Sequence, residues 1–189
     1  YNVAHTRLPL PPHNDFASYS WPPSVQALHM LANEAKGGRS TIYDGWAVLQ
    51  AFRQEDPAAF DVLCRVAVPF REFDDGNETF ACEPIIRLNP NGEMGIFRYS
   101  NQLMQVMDPL NPDTAAFYDA YYKLSRRLIT SPFNRRFRLH GGEILVVASH
   151  RILHGREAIE DAGFRHLQDA YFEHHNVRNM LTVLERSHD

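Results

Sequence analysis

The sequence predicts a mainly β fold with helices, a β-sandwich or jelly roll covered by helical segments. Many short apolar or β-branched stretches are separated by turns rich in Gly and Pro, which is typical of such folds. A few longer stretches have helical periodicity instead. The 189 residues are 44% hydrophobic and 22% charged, which fits a globular domain with a sizeable core. We therefore interpret residues 1–189 as a single domain.

The predicted strands are short runs bounded by turn residues. One pair of runs flanks Asn89-Pro90-Asn91-Gly92, which predicts a hairpin. The predicted strands are residues 25–32, 40–43, 79–88, 94–99, 135–139, 144–147 and 165–172.

The clearest predicted helix covers residues 112–129, because apolar residues recur there at spacings of three and four. The aromatic run within it, from Phe117 to Tyr122, has the same spacing and is predicted to belong to the core rather than to a binding pocket. The other predicted helices are residues 46–54, 57–63 and 177–186.

Composition excludes several classes of partner. The formal net charge is -4 and no block of like charges occurs, so we expect no nucleic-acid partner. No apolar run is long enough to span a bilayer, so we expect no membrane partner. Cys64 and Cys82 stand apart, which favours a reducing, cytoplasmic location and argues against a cysteine zinc site. The chain starts at Tyr1 and enters structure at once, so we expect further residues upstream.

The motif His13-Asn14-Asp15 is the first candidate site. Side chains of an extended segment alternate, so His13 and Asp15 point the same way and offer two metal ligands. His154, just beyond the predicted strand 144–147, would complete the two-histidine, one-carboxylate set of non-haem iron oxygenases. Among ten histidines such a motif also arises by chance, and an isolated histidine like His154 is often a surface or supporting residue. Arg165, eleven residues after His154, favours the metal site, because a guanidinium binds a dicarboxylic acid well.

The sequence resembles a known family, the γ-butyrobetaine and trimethyllysine hydroxylases. These belong to the wider taurine dioxygenase-like (TauD/TfdA) group of iron(II)- and 2-oxoglutarate-dependent oxygenases. The matching segments occur in the same order and cover nearly the whole chain. The resemblance implies a double-stranded β-helix, the cupin-like jelly roll, with an N-terminus that is incomplete here. The segments that carry it are Asn2-Val3-Ala4, His13-Asn14-Asp15, residues 26–29, Gly37-Gly38-Arg39-Ser40, Asp44-Gly45, Arg98-Tyr99-Ser100-Asn101, residues 151–156 and Arg165-His166-Leu167.

The resemblance implies the cofactors and their ligands. His13, Asp15 and His154 would bind Fe(II), with O2 and 2-oxoglutarate as co-substrates. Arg165 would hold the far carboxylate of 2-oxoglutarate, and Ser40 would assist it. The alternatives are a surface ion pair for Arg165 and a turn hydroxyl for Ser40.

The implied substrate is a small zwitterionic amine or betaine such as γ-butyrobetaine. Tyr171 and His5 fall on positions of the aromatic cage that binds a trimethylammonium by cation–π attraction. The family has a Tyr at the position of His5, so a primary amine is an open alternative. Asn2, Arg98 and Asn101 would bind the anionic end, either a carboxylate or a phosphonate; the alternative for Arg98 is a solvated strand residue.

Three other functions remain open. An aminophosphonate such as 2-aminoethylphosphonate is an alternative substrate. A jelly-roll binding protein without turnover would keep the fold alone. A zinc hydrolase with the same ligands is disfavoured, because Arg165 would then have no role. From the resemblance we also expect a homodimer.

Overall fold

The computed structural model describes residues 3–160 and 163–187. A 3₁₀ turn, Val3–His5, precedes the first strand. The strands are β1 (Leu10–His13), β2 (Val25–Asn33), β3 (Ser40–Asp44), β4 (Ala67–Phe73), β5 (Glu78–Pro84), β6 (Ile86–Leu88), β7 (Met94–Phe97), β8 (Arg135–Phe137), β9 (Ile144–Ala148), β10 (Ile152–Arg156) and β11 (Arg165–Phe172). The helices are α1 (Gly45–Glu55), α2 (Pro57–Arg65), α3 (Thr114–Thr130) and α4 (His174–Arg186).

Two antiparallel sheets form the β part of the molecule. One has the strand order β1-β10-β3-β8 and the other β11-β2-β9. Strands that follow each other in the sequence alternate between these sheets, first over β1 to β3 and again over β8 to β11. Two separate hairpins, β4-β5 and β6-β7, complete the strands. The architecture is thus mainly β with helices.

The register of the four-stranded sheet positions the candidate ligands. His13 at the end of β1 lies opposite His154 in β10, and Ser40 at the start of β3 lies opposite Arg156. Directly opposed residues in an antiparallel pair have Cβ atoms about 5 Å apart. Gly155 permits this pairing, because a Cβ there would lie 2.6 Å from the Leu10 carbonyl oxygen.

Helices α1, α2 and α3 cover the main core. The helix predicted from spacing is α3, and its Phe117, Tyr121, Leu124 and Leu128 are all buried. The aromatic run divides, however: Phe117 and Tyr121 belong to the core as predicted, whereas Tyr122 is 61% exposed. Tyr122 follows Tyr121 directly and therefore points about 100° away on the helix.

Most predicted elements occur within a few residues of their expected bounds, but three strands, β1, β4 and β10, were not among those predicted. The prediction of one strand over residues 79–88 is wrong, because β5 pairs with the unpredicted β4 and only β6 joins the hairpin with β7. Because β10 was missed, His154 was expected beyond the end of a strand, whereas it lies inside one. Gly155 and two polar neighbours weaken the local signal of β10, and pairing on both sides by β1 and β3 forms it nevertheless.

Within the described residues, no helix has the length and apolar character needed to cross a membrane.

Candidate metal centre

The loop that carries the candidate metal ligands is held by its middle residue. Asn14 is buried, its Nδ2 donates to the carbonyl oxygens of Ser149 (3.1 Å) and Phe97, and its Oδ1 accepts from the Tyr99 amide at 2.8 Å. Phe16, directly after Asp15, has a φ of 54°, a left-handed conformation that is uncommon outside glycine. The chain therefore turns sharply once both ligand side chains have been placed.

His13, Asp15 and His154 converge as the sequence predicted. One donor atom from each lies within 4.8 Å of the others, the spacing expected for ligands of one metal ion. Asp15 Oδ1 lies 3.3 Å from His13 Nε2, and Asp15 Oδ2 lies 3.8 Å from His154 Nε2. His13 Nδ1 donates to the Pro11 carbonyl at 2.8 Å, which leaves Nε2 with its lone pair toward the centre.

The protonation states of Asp15 and His154 also suit a metal. For His13, burial opposes the charge, but the hydrogen bond with Asp15 and its negative charge raise the pKa, and a metal ion would displace the proton that this favours. Burial opposes the charge of Asp15, but the hydrogen bond with His13 and the neighbouring imidazoles hold the pKa of Asp15 well below its usual range. Burial, with a smaller effect of His13, lowers the pKa of His154 to about 4. A carboxylate anion and a neutral imidazole are the forms that bind metal ions. The donor set therefore fits a divalent cation such as Fe(II).

A cavity of about 790 Å³ opens beside the three ligands, and both sheets line it. Arg165, at the start of β11, is half-buried in its wall. Its Nε is buried without a hydrogen-bond partner, and no carboxylate among the described residues pairs with it. The surface ion pair considered for Arg165 is thus absent from this part of the chain, and the guanidinium is available to an anion in the cavity. Ser40 lines the same cavity.

Residues 1–171 match the family described as taurine catabolism dioxygenase TauD, TfdA family. The chain belongs to this family. It is 36% identical to the γ-butyrobetaine dioxygenase of Pseudomonas sp. (strain AK-1), over 97% of this chain and 48% of that protein. It is 28% identical to the mitochondrial trimethyllysine dioxygenase of Rattus norvegicus, over 97% of this chain and 44% of that protein. The chain thus spans about half the length of these relatives.

Solved structures of TauD-like proteins share the fold. The PvcB protein of Pseudomonas aeruginosa has a TM-score of 0.63 and 21% sequence identity, over 93% of this chain and 61% of that one. A putative α-ketoglutarate-dependent taurine dioxygenase from Burkholderia xenovorans has a TM-score of 0.67 and 17% identity, over 85% of this chain and 58% of that one.

Of the four predicted substrate residues that the structure describes, two lie at the cavity and two do not. His5 and Tyr171 line the wall. Asn2 falls outside the described residues. Asn101 is absent from the cavity lining, and its Oδ1 instead accepts a hydrogen bond from the Tyr121 hydroxyl of α3. The prediction that Asn101 binds substrate is therefore not supported by its position, because its side chain is engaged with the helical layer.

The prediction for Arg98 is also corrected. Its side chain is 2% exposed and lies outside the cavity lining, so it is neither a substrate ligand nor a solvated strand residue. The guanidinium donates to the carbonyl oxygens of Tyr19 (2.6 Å), Ser20 (3.2 Å) and Ala17. Burial lowers the pKa of Arg98 to about 10, so it stays cationic at neutral pH. Arg98 fixes the backbone that follows the metal loop.

Sequence reasoning missed the residues that hold Asp15. Gln26 of β2 donates its Nε2 to Asp15 Oδ2 at 2.5 Å, and the Tyr171 hydroxyl donates to the same oxygen at 2.7 Å. Tyr171 also lies 2.6 Å from Asp169 Oδ2, and its one proton serves one carboxylate at a time. A signal for Gln26 was present, since it is a polar residue that alternates with Leu28 and Met30 on the apolar face of β2. Tyr171 was predicted for a cage, and the structure adds this contact with the carboxylate.

We predict that Gln26→Leu weakens metal binding, because Asp15 loses the amide that fixes its orientation. Residues that orient metal ligands typically contribute 10- to 100-fold in affinity, so we expect a loss of about tenfold. Isothermal titration with Co(II) measures this directly. Gln168→Leu, at an exposed position of the neighbouring strand β11, is the matched control. Unchanged affinity in Gln26→Leu would remove Gln26 from this role.

We predict that Arg98→Met destabilises the fold, because three backbone carbonyls lose a buried charged donor. The expected loss is about 3 kcal/mol of unfolding free energy, measured by urea denaturation. Arg65→Ala, which removes only an exposed ion-pair partner, should cost less than about 1 kcal/mol. If Arg98→Met has the stability of wild type, its hydrogen bonds do not hold the loop.

Proposed function

We propose that this protein is an Fe(II)- and 2-oxoglutarate-dependent dioxygenase that hydroxylates an unactivated C–H bond of a small zwitterionic amine or betaine. One observation carries the proposal. The donor atoms of His13, Asp15 and His154 converge at a cavity whose wall also presents the Arg165 guanidinium without a carboxylate partner among the described residues.

His13, Asp15 and His154 would hold Fe(II) from one side and leave its other side to the cavity. Bound there, the iron with 2-oxoglutarate and O2 supplies the oxidant, and succinate and carbon dioxide are the co-products. The chain's own residues bind and orient the two organic molecules. Gln26 and Tyr171 keep Asp15 in place, and the sheets on both sides restrict access of water.

Arg165 would bind the far carboxylate of 2-oxoglutarate. Burial, followed by the charges of Arg156 and Arg138, lowers the pKa of Arg165. Arg165 and Arg156 both line the cavity, and their positive charge favours a dianion there. Ser40, opposite Arg156 in the sheet, would assist with its hydroxyl.

The substrate is proposed from relatives that are named γ-butyrobetaine and trimethyllysine dioxygenases. His5 and Tyr171 line the cavity and would lie near the substrate. The aminophosphonate alternative has less support, because these relatives are named for a betaine and a trimethylated lysine. The burial of Arg98 on backbone carbonyls does not separate the two, since Arg98 was expected to bind the anionic end of either substrate. A binding protein without turnover need not retain all three metal ligands together with Arg165. A zinc hydrolase would leave Arg165, which has no carboxylate partner among the described residues, without a function.

We further infer that the two sheets form a jelly roll. Successive strands alternate between them, and all their pairings are antiparallel. The homodimer, the cytoplasmic location and the absence of nucleic-acid and membrane partners stay predictions.

Single substitutions His13→Ala, Asp15→Ala and His154→Ala should each abolish succinate formation that is coupled to hydroxylation, because two ligands hold iron poorly. The assay follows succinate and hydroxylated product together, with γ-butyrobetaine as substrate. His140→Ala, at an exposed histidine, should retain the activity. Full coupled turnover in any of the three ligand variants would contradict the assignment.

Arg165→Ala should raise the KM for 2-oxoglutarate by roughly 10- to 100-fold, the loss of a hydrogen-bonded charge pair. Arg165→Lys keeps the charge without the planar guanidinium, so its KM for 2-oxoglutarate should lie between those of wild type and Arg165→Ala. Arg136→Ala removes a 62%-exposed arginine side chain and is the control. An unchanged KM in Arg165→Ala would remove Arg165 from co-substrate binding.

A further inference from the structure

A glutamate that the proposed chemistry does not use, Glu72, lines the cavity from strand β4. Alternation along β4 puts Glu72 on the same face as Val68 and Phe70, which are fully buried. Its carboxylate thus points from the edge of the core toward the cavity, and the side chain is half-buried. Leu103, in the loop after β7, lines the same wall, and its carbonyl oxygen accepts a hydrogen bond from the Arg71 amide.

The Glu72 carboxylate has no cation and no hydrogen-bond donor among the described residues. The adjacent Arg71 is on the opposite face of β4, where it pairs with Glu78 at 2.8 Å and lies over the Phe73 ring at 4.5 Å. Most half-buried carboxylates are paired, because burial without a partner is costly. An unpaired carboxylate in a cavity wall is therefore a candidate to bind a positively charged group of a ligand.

The electrostatic surroundings define that group. Burial, and then the negative charges of Asp15 and Asp74, raise the pKa of Glu72. Two carboxylates that repel each other across a cavity favour a positive charge between them. A metal ion would offset the negative charge of Asp15 but not that of Glu72, because Glu72 is not among the three residues whose donor atoms converge.

We propose that Glu72 is the counter-ion for the positively charged nitrogen of the zwitterionic substrate; this rests on the proposed function and names a recognition residue for it. Phe16 and Tyr171 are the phenyl and phenol side chains among the described cavity residues, and they pack edge-to-face on each other at 4.7 Å. His5 stands at a cage position where the family has a Tyr. The Glu72 carboxylate would therefore supply an attraction for the cation that aromatic rings alone do not. It attracts any cationic nitrogen, and it accepts hydrogen bonds from a nitrogen that carries N–H.

The test compares three probes on the protein loaded anaerobically with Fe(II) and 2-oxoglutarate. The probes are γ-aminobutyrate, γ-butyrobetaine and butyrate, which share a carboxylate and differ at the nitrogen. Calorimetry gives the affinities, and the visible band of the iron–2-oxoglutarate complex reports separately on the centre. We expect at least one cationic probe to bind wild type about tenfold more tightly than butyrate. Tighter γ-aminobutyrate indicates N–H recognition, and tighter γ-butyrobetaine indicates recognition by charge alone.

Glu72→Gln should reduce this preference to within about twofold and leave the visible band unchanged. Glu72→Asp should restore part of it, which a loss of packing alone would not do. Glu78→Gln, on the neighbouring strand and on the other face, should retain the full preference. The proposal is overturned if wild type binds no probe or binds no cationic probe more tightly than butyrate. It is also overturned if Glu72→Gln retains the preference of wild type for a cationic probe. Absence of the visible band in wild type would instead contradict the proposed function, and calorimetry would still test Glu72.

Discussion

The amide of Asn14 is the interaction on which the metal centre depends. Because Asn14 lies between His13 and Asp15, fixing it fixes both ligands. Its side chain and backbone tie the loop to the end of β7, through Phe97 and Tyr99, and to Ser149 beyond β9. A loop held only by its own backbone would leave the two ligands free to move apart. The left-handed Phe16 then requires such anchoring, since its strain persists only where the surroundings hold it.

Arg98 extends the same support along the chain. Its guanidinium crosslinks three carbonyls in residues 17–20, just after the ligand loop, and it follows Phe97 directly. Segments 13–20 and 97–99 are therefore bound to each other by Asn14 at one end and Arg98 at the other. This explains why the polar side chains of Asn14 and Arg98 are buried here. Their polar groups satisfy the backbone that positions the metal ligands.

The sequence predicted the ligands but not what holds them, and the reason is physical. His13 and Asp15 lie two residues apart in one short motif. Among the many arginines, Arg165 was singled out by its spacing from His154 and by the resemblance to the family. By contrast, the donors to Asp15 come from β2 and β11, and only strand pairing brings them together. Arg98 was assigned to the substrate because an arginine in a sequence gives no sign of whether solvent or backbone carbonyls surround it. Strand β10 was missed for a related reason, since its neighbours on both sides stabilise a segment with weak local preference.

The distribution of charge gives the cavity a direction. Arg165 and Arg156 make one region of the cavity positive, whereas Glu72 makes another negative; the charge of Asp15 would be offset by the metal ion that it holds. A dianion such as 2-oxoglutarate is attracted to the first region and repelled by the second. The cationic nitrogen of a zwitterion has the opposite preference. Both 2-oxoglutarate and the zwitterion carry carboxylates and would compete for Arg165, so attraction to Arg165 alone would not separate them. A negative region that repels the dianion and attracts the cationic nitrogen would separate them. Such repulsion of the wrong ligand is a general source of specificity. The residue that recognises the substrate would then also keep the co-substrate in its own place.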